Sequence, residues 1–102
     1  MTRGEVWLAE VGGKRRPVLI LTRPEVIDVR QLVTVAEITT SKRGLAAEVE
    51  IDHDAVPLDP DSVVNCDGIQ TIRQSSLTRR VATLPDDSMV DVCWALNHAL
   101  GC

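Results

Sequence analysis

The sequence predicts a mainly β domain, a small β-barrel with one helix packed on it, and three observations support this prediction. Short segments rich in β-branched and apolar residues alternate with turn-forming residues as far as residue 84. Only the stretch from residue 85 onward repeats its apolar residues at helical spacing. No strand–helix–strand alternation is present, which argues against a dinucleotide-binding sheet. The 102 residues fit one domain, predicted to span 1–102.

The first two strands are predicted on either side of a glycine turn. Gly4–Ala9 is β-prone, and Gly12–Lys14 turns the chain into a second strand over Arg16–Thr22. Within that strand, the apolar run Val18–Leu21 is typical of a central strand buried on both faces. We expect Pro17 at the start of this strand, where its missing N–H does least harm to the ladder.

Four further strands are predicted over Gln31–Thr39, Ala46–Asp52, Ser62–Arg73 and Leu77–Leu84. A turn at Ser41–Gly44 joins the first two of them, and Pro57–Asp61 forms the next loop. Gly68 is expected to bend the long strand that contains it, because a glycine inside a strand often marks a bulge.

A C-terminal helix is predicted to begin around Pro85–Asp87, because carboxylates are favoured at the positive end of a helix. The apolar residues that repeat at helical spacing are Met89, Val92, Cys93, Leu96 and Leu100. We expect these five side chains to form the buried face of the helix, which packs on the barrel.

The formal net charge of −4 is unevenly distributed along the chain. Residues 1–44 carry eight basic and five acidic side chains, whereas residues 45–102 carry three basic and ten acidic ones. The first part could therefore present a cationic face to an anionic partner. No apolar run reaches the roughly 20 residues of a membrane span. The N-terminus lacks the apolar core of a signal peptide, so we expect a cytoplasmic protein.

The cysteines and histidines are too scattered to indicate a metal site or a disulfide framework. Cys66, Cys93 and Cys102 are odd in number and include no Cys-x-x-Cys pair, and His53 and His98 are isolated. We therefore predict no metal and no other cofactor. His53 is interpreted as a solvated turn residue and His98 as a surface or packing residue.

Arginine and threonine are the candidate groups for chemistry, because both donate hydrogen bonds well to phosphate oxygens. Arg16 directly precedes the most apolar strand and is supported by Pro17, which is the support a site residue needs. Thr39 lies at the far end of another predicted strand. From spacing alone, a solvated strand-end charge at Arg16 and a simple β-former at Thr39 are the favoured interpretations.

Four short blocks in register resemble the MazF/PemK toxins. They are Arg3–Trp7, Arg16–Ile20, Ile38–Ser41 and Asp67–Ile72. The order of the blocks, their spacing and the final helix also match, so the resemblance covers nearly the whole chain.

The resemblance implies an SH3-like (MazF/CcdB-like) barrel that works as a homodimer. It implies the toxin of a type II toxin–antitoxin pair, a ribosome-independent endoribonuclease that inhibits translation and growth. Such enzymes cleave single-stranded RNA at short sequences without a metal, leaving a 2′,3′-cyclic phosphate or 3′-phosphate and a 5′-hydroxyl. The implied partner is an antitoxin whose disordered, acidic C-terminal segment covers the RNA groove.

The resemblance also assigns catalytic roles to two residues. The family's catalytic arginine precedes a proline in the second strand and matches Arg16, and its catalytic threonine matches Thr39, with Thr40 as the alternative. We expect Arg16 to stabilise the charge of the phosphorane, since arginine is a very poor base. The candidate RNA-binding residues are Lys14, Arg15, Thr40, Ser41, Lys42, Arg43 and Gln70.

The sequence departs from the family pattern before the catalytic arginine. The loop there is longer in many relatives and carries Glu or Gln, whereas here it is only Gly12–Arg15. Glu10 or Glu37 could replace that acidic group, and Glu37 shares a strand face with Thr39 by the two-residue period. A salt bridge to a neighbouring arginine is the role we expect for Glu37.

Two further departures concern the RNA-contacting groups. Arg15 adjoins Arg16, so the two could exchange roles. The chain has no Phe or Tyr, so stacking of bases is limited to Trp7 and Trp94, and Trp94 is expected in packing or a dimer interface.

Two other functions also fit this fold. One is a non-enzymatic toxin that inhibits a topoisomerase, as the CcdB relatives do, and does not need the arginine–threonine pair. The other is a plain SH3-like interaction module. Cleavage of RNA distinguishes the endoribonuclease from both of these alternatives.

Overall fold

Six antiparallel strands form one sheet in the computed structural model, which describes all residues from 1 to 102. In chain order the strands are β1 Glu5–Val11, β2 Lys14–Ile20, β3 Leu32–Thr39, β4 Glu48–Glu50, β5 Val63–Arg73 and β6 Leu77–Thr83. The helices are α1 Pro24–Ile27 and α2 Asp86–Leu100, with a 3₁₀ turn at Gln74–Ser76. The spatial order of the strands is β4-β5-β3-β2-β1-β6. A mainly β fold with a C-terminal helix is therefore confirmed.

The predicted small barrel is an open one, because the six-stranded sheet does not close on itself. Its two edges are β4 and β6, and no ladder joins them. The fourth strand, predicted over Ala46–Asp52, is reduced to Glu48–Glu50, which pairs with β5. The Glu48 carboxylate accepts the amide N–H groups of Arg43 and Leu45, and this turn lies directly before the strand, which therefore begins two residues later than predicted.

The hairpin between β1 and β2 turns in two residues, as the glycines predict. Gly12 and Gly13 have φ of 60° and 77°, the left-handed conformation that a tight hairpin turn requires. Pro17 is the fourth residue of β2 and not its first. It is tolerated there because β3 pairs with β2 only from Val18 onward, so this part of β2 has one neighbour.

The long strand β5 carries the bend predicted at Gly68. Opposite β3, Ile69 pairs with Ala36 while Asn65 pairs with Glu37, so residues 66–68 form a bulge. The bulge changes the direction of β5 beside Glu37.

The central strand β2 is buried on both faces, as its apolar run predicts. Leu19 belongs to the larger core cluster on one face, and Val18 and Ile20 belong to a smaller cluster on the other. Helix α2 covers the larger cluster with Val92 and Ala95. The other face lacks this long helix.

Helix α2 begins after Pro85 as predicted, but its buried face is rotated from the expected one. Val92 and Ala95 are buried, whereas Cys93 and Leu100 are exposed. The spacing of large apolar residues misplaced the face because alanine, a weak hydrophobic signal, provides part of the contact. The structure has no helix with the length and apolar character needed to span a membrane.

All three cysteines are free thiols, and only Cys66 is buried. Burial, with smaller contributions from the neighbouring Asp67 and Cys93, raises the pKa of the Cys66 thiol to about 11. Cys66 is therefore a protonated core side chain at neutral pH. The two histidines are both exposed, His53 in a turn and His98 on α2.

Candidate active site

The register of the sheet sets Arg16 opposite Thr39. The ladder between β2 and β3 pairs Ile20 with Val35 and ends where Val18 pairs with Glu37. Two residues further along, the same register would pair Arg16 with Thr39, but no ladder continues there. The β2–β3 ladder therefore ends two residues short of the two predicted catalytic residues, and no strand pairing joins them.

Alternate residues of the two strands face the same side of the sheet. Arg16 shares its face with Val18, and Glu37 shares that face through its pairing with Val18. They border a concavity of about 280 Å³, lined by Ala9, Val11, Lys14, Arg16, Val18, Glu37 and Gln70. The concavity thus combines two cations, one carboxylate and one amide over an apolar floor.

Arg16 is exposed and has no acidic side chain within 4.0 Å of its guanidinium. Its planar fork is therefore free to bind the oxygens of a phosphate. Arg15 points to the opposite face and makes a salt bridge of 2.9 Å to Glu10. The structure brings Arg16 and Lys14 to the concavity but not Arg15, so an exchange of roles between the two arginines is not supported.

Thr39 ends β3 and is half-buried. It lies two residues beyond Glu37, about 7 Å further along the strand, and does not itself line the concavity. Its Oγ1 accepts the amide N–H of Ser41 at 3.1 Å, which fixes the side chain and leaves the hydroxyl proton free to donate. Thr40, the alternative, is exposed.

Glu37 is half-buried in the concavity and makes no salt bridge. The Nε2 of Gln70 donates a hydrogen bond of 3.3 Å to its Oε1. No Lys or Arg nitrogen lies within 4.0 Å of the carboxylate, so the expected salt bridge is wrong. Gln70 lies on β5, opposite Val35 of β3, and its side-chain amide occupies the neighbouring position instead.

The loop after Thr39 is held by acidic residues of β4. Lys42 Nζ lies 3.2 Å from Glu50 Oε1, and the amide of Arg43 donates to Glu48. Desolvation would raise the pKa of the Glu48 carboxyl, but backbone N–H donors, led by that of Arg43, hold it below its ordinary value. The structure therefore fixes Ser41, Lys42 and Arg43 close after Thr39, outside the lining of the concavity.

Both tryptophans lie outside the lining of the concavity. The indole N–H of Trp7 donates to the Glu5 carboxylate at 3.1 Å, and Arg80 Nη1 donates to the same group at 3.2 Å. Burial would raise the pKa of Glu5, but these donors and the amide of Thr2 keep it lowered. Trp94 lies on α2 and is 71% exposed.

Sequence reasoning identified five of the groups that meet here but not their arrangement. The two-residue period placed Glu37 with Thr39, whereas its contact with Gln70 depends on the bulge in β5. A bulge shifts the strand register, and the periodicity of the sequence does not reveal that shift. The contact could only be seen in the folded chain.

Comparisons with known proteins place this chain among similar sequences and structures. A family model described as the PemK-like, MazF-like toxin of type II toxin-antitoxin system matches residues 2–100. A probable endoribonuclease MazF2 of Mycobacterium tuberculosis is 37% identical over 102 residues, covering 100% of both chains.

Two solved structures match closely. The toxin MazF-mt6 of M. tuberculosis has a TM-score of 0.87 and 40% identity, covering 95% of this chain and 96% of the other. An endoribonuclease from a mycobacterial species, in complex with its cognate antitoxin, has a TM-score of 0.92 and 26% identity. That match covers 99% of this chain and 95% of the other.

Proposed function

The chain belongs to the PemK-like, MazF-like toxin family and is a toxin endoribonuclease, and on this premise we propose that it cleaves single-stranded RNA at the concavity beside Arg16. Cleavage is sequence-specific and needs no metal. It leaves a 2′,3′-cyclic phosphate or 3′-phosphate and a 5′-hydroxyl. Loss of RNA in the cytoplasm then stops translation and growth.

One observation supports this site above all: the guanidinium of Arg16 makes no salt bridge and lines the open concavity, and extending the β2–β3 register by two residues sets it opposite Thr39. A phosphodiester seated in that opening meets two donors from opposite sides. Negative charge builds on its non-bridging oxygens in the transition state, and fixed donors stabilise that charge most when water is excluded. Arg16 supplies the charge and Thr39 a further hydrogen bond.

The bond changes follow from the ends that are left. The 2′-oxygen forms a bond to phosphorus while the bond from phosphorus to the 5′-oxygen breaks. Holding these three atoms in line supplies a large part of the rate enhancement. Lys14 and Gln70 line the same concavity and are proposed RNA-binding residues, and the loop of Thr40, Ser41, Lys42 and Arg43 extends the contact.

A test of the reaction uses the purified chain and a mixed-sequence single-stranded RNA, with excess EDTA in one arm and Mg²⁺ in another. New fragments are labelled by a 5′-kinase, which requires a free 5′-hydroxyl. We expect the same discrete fragments in both arms. Fragments only with Mg²⁺ would overturn the metal-independent mechanism. Intact RNA in both arms, with folded protein, would favour the topoisomerase-inhibiting alternative.

The proposed partner is an antitoxin with a disordered, acidic C-terminal segment. The mycobacterial endoribonuclease noted above was solved with its cognate antitoxin. In this chain, Lys14 and Arg16 carry unpaired positive charges in one concavity. A flexible acidic segment and RNA would compete for these charges, so bound antitoxin excludes the substrate.

We further propose that the chain forms a homodimer through α2. Trp94 and Val90 are 71% and 57% exposed on the outer side of the helix. With Met89 and Cys93 they line a concavity of about 310 Å³. A two-fold contact would set this apolar patch against itself and bury both tryptophans.

Replacing Trp94 with glutamate is expected to weaken the dimer by about 30-fold or more, the effect of losing an interface anchor of about 2 kcal/mol. Within one chain Trp94 is exposed, so the substitution should leave the monomer's stability unchanged. Sedimentation equilibrium measures the dissociation constant. The control is Val29→Glu, because Val29 is 76% exposed and lies off the helix. An unweakened Trp94→Glu dimer would exclude this interface.

A further inference from the structure

Glu37 is the one acidic side chain that lines the concavity beside Arg16. A carboxylate in a phosphate-binding site repels its ligand, and like charges placed together at an interface cost binding energy. A structural role does not account for it, because Glu37 has no cation within 4.0 Å. Its position beside Arg16 therefore requires another explanation.

The bulge of β5 orients the Glu37 carboxylate. A Cβ atom at Gly68 would lie 2.8 Å from Glu37 Oε2 and 2.9 Å from the side-chain nitrogen of Asn65, so a larger residue there would displace these two side chains from their present positions. Gln70 Nε2 donates to Oε1 at 3.3 Å. One carboxylate oxygen is thus held by an amide, while Oε2 accepts no hydrogen bond from the protein and can accept a proton.

The charged groups that face Glu37 come from β2. They are Lys14 and Arg16, whereas β1 contributes only apolar side chains and β5 only the neutral amide of Gln70. Asp67, in the bulge, is exposed and does not line the concavity. The carboxylate therefore has two cations on one side and no acidic neighbour in the site.

We propose that Glu37 is the general base of the cleavage reaction, an inference that rests on the proposed function. Oε2 takes the proton of the 2′-hydroxyl, and the oxygen's electron pair forms the bond to phosphorus. The bond to the 5′-oxygen breaks, and that oxygen leaves with the bonding pair and takes a proton from water. Arg16 binds the non-bridging oxygens meanwhile. Glu37 then releases its proton to solvent, which regenerates the carboxylate and replaces the proton taken from water.

The test measures single-turnover cleavage by the full chain and by Glu37→Gln, an isosteric change that keeps the acceptor oxygen for Gln70. We expect the maximal rate to fall on the order of 10²-fold or more, as for loss of a general base, with KM unchanged or lower. The pH–rate profiles of the two proteins should differ, because Glu37→Gln lacks the carboxylate that takes the proton.

The matched control is Glu25→Gln, which removes the same charge from an exposed side chain on α1. Its rate and pH profile should equal those of the wild type. A Glu37→Gln protein that melts normally and cuts RNA at the wild-type rate would overturn the proposal. So would a raised KM with an unchanged maximal rate. Absence of cleavage by the wild type itself would instead contradict the proposed function.

Discussion

Replacing Arg16 with alanine should lower the rate of RNA cleavage on the order of 10²–10³-fold, the effect of removing one preorganised donor to a developing oxyanion. The guanidinium is exposed and makes no salt bridge, so its loss leaves no buried partner unpaired. The fold should therefore survive, and the effect should be on chemistry. Arg16→Lys should recover only part of the rate, because an ammonium group lacks the planar fork that binds two oxygens at once.

The measurement is single-turnover cleavage of an RNA with one defined site, together with a thermal melt of each protein. Arg79→Ala is the matched control, because Arg79 is also an exposed arginine without a salt bridge and does not line the concavity. It should change the rate by less than about twofold, as expected of a surface substitution outside the site. A folded Arg16→Ala protein that cuts as fast as Arg79→Ala would show that the site has been misassigned.

Replacing Leu19 with alanine should lower the free energy of unfolding by about 3 kcal/mol, within the range for leucine removed from a core. Leu19 is 0% exposed and lies on a strand with neighbours on both sides. Its side chain belongs to the larger cluster, under α2. The cavity left behind cannot collapse easily because the sheet fixes its walls.

Urea unfolding followed by circular dichroism measures this loss as a lower midpoint with an unchanged slope. Leu45→Ala is the control, since Leu45 is 49% exposed, and it should cost less than about 0.5 kcal/mol. Under conditions where both variants are folded, Leu19→Ala should still cleave RNA, because Leu19 faces away from the concavity. A loss of less than about 1 kcal/mol would contradict the burial described for the central strand.

The parts of the fold that depend on local pattern were predictable. The run Val18–Leu21 predicted a strand buried on both faces, and Gly12 and Gly13 predicted a tight hairpin. Gly68 predicted the bend in β5. Each of these features follows from the conformational preference or burial of a few adjacent residues, which the sequence states directly.

Features that depend on distant contacts were not predictable. The start of β4 depends on a turn held by the Glu48 carboxylate, and the expected strand was longer than the observed one. The buried face of α2 depends on how close Ala95 approaches the sheet. Hydrophobicity alone gives little weight to alanine, so the spacing favoured Cys93 and Leu100.

The candidate site, too, has features that local sequence predicts and features that depend on distant contacts. Arg16 and Thr39 were candidates from their positions at strand ends, and the register now sets them opposite each other. The sequence left open an exchange of roles between Arg15 and Arg16. In the structure, the salt bridge to Glu10 occupies Arg15. The absence of a salt bridge at Glu37 was the least predictable feature, because it depends on the positions that several long side chains adopt.

The two-residue turn at Gly12 and Gly13 has a consequence for how RNA meets this enzyme. A long, mobile segment before the arginine would lose conformational entropy when RNA binds, about 1–2 kcal/mol for each residue that becomes fixed. Here the hairpin orders Lys14 and Arg16 during folding, because Val11 and Lys14 already pair across the turn. The conformational entropy of these residues is therefore lost on folding and not on RNA binding. The cationic wall is thus rigid, and the RNA strand must adapt its own shape to it.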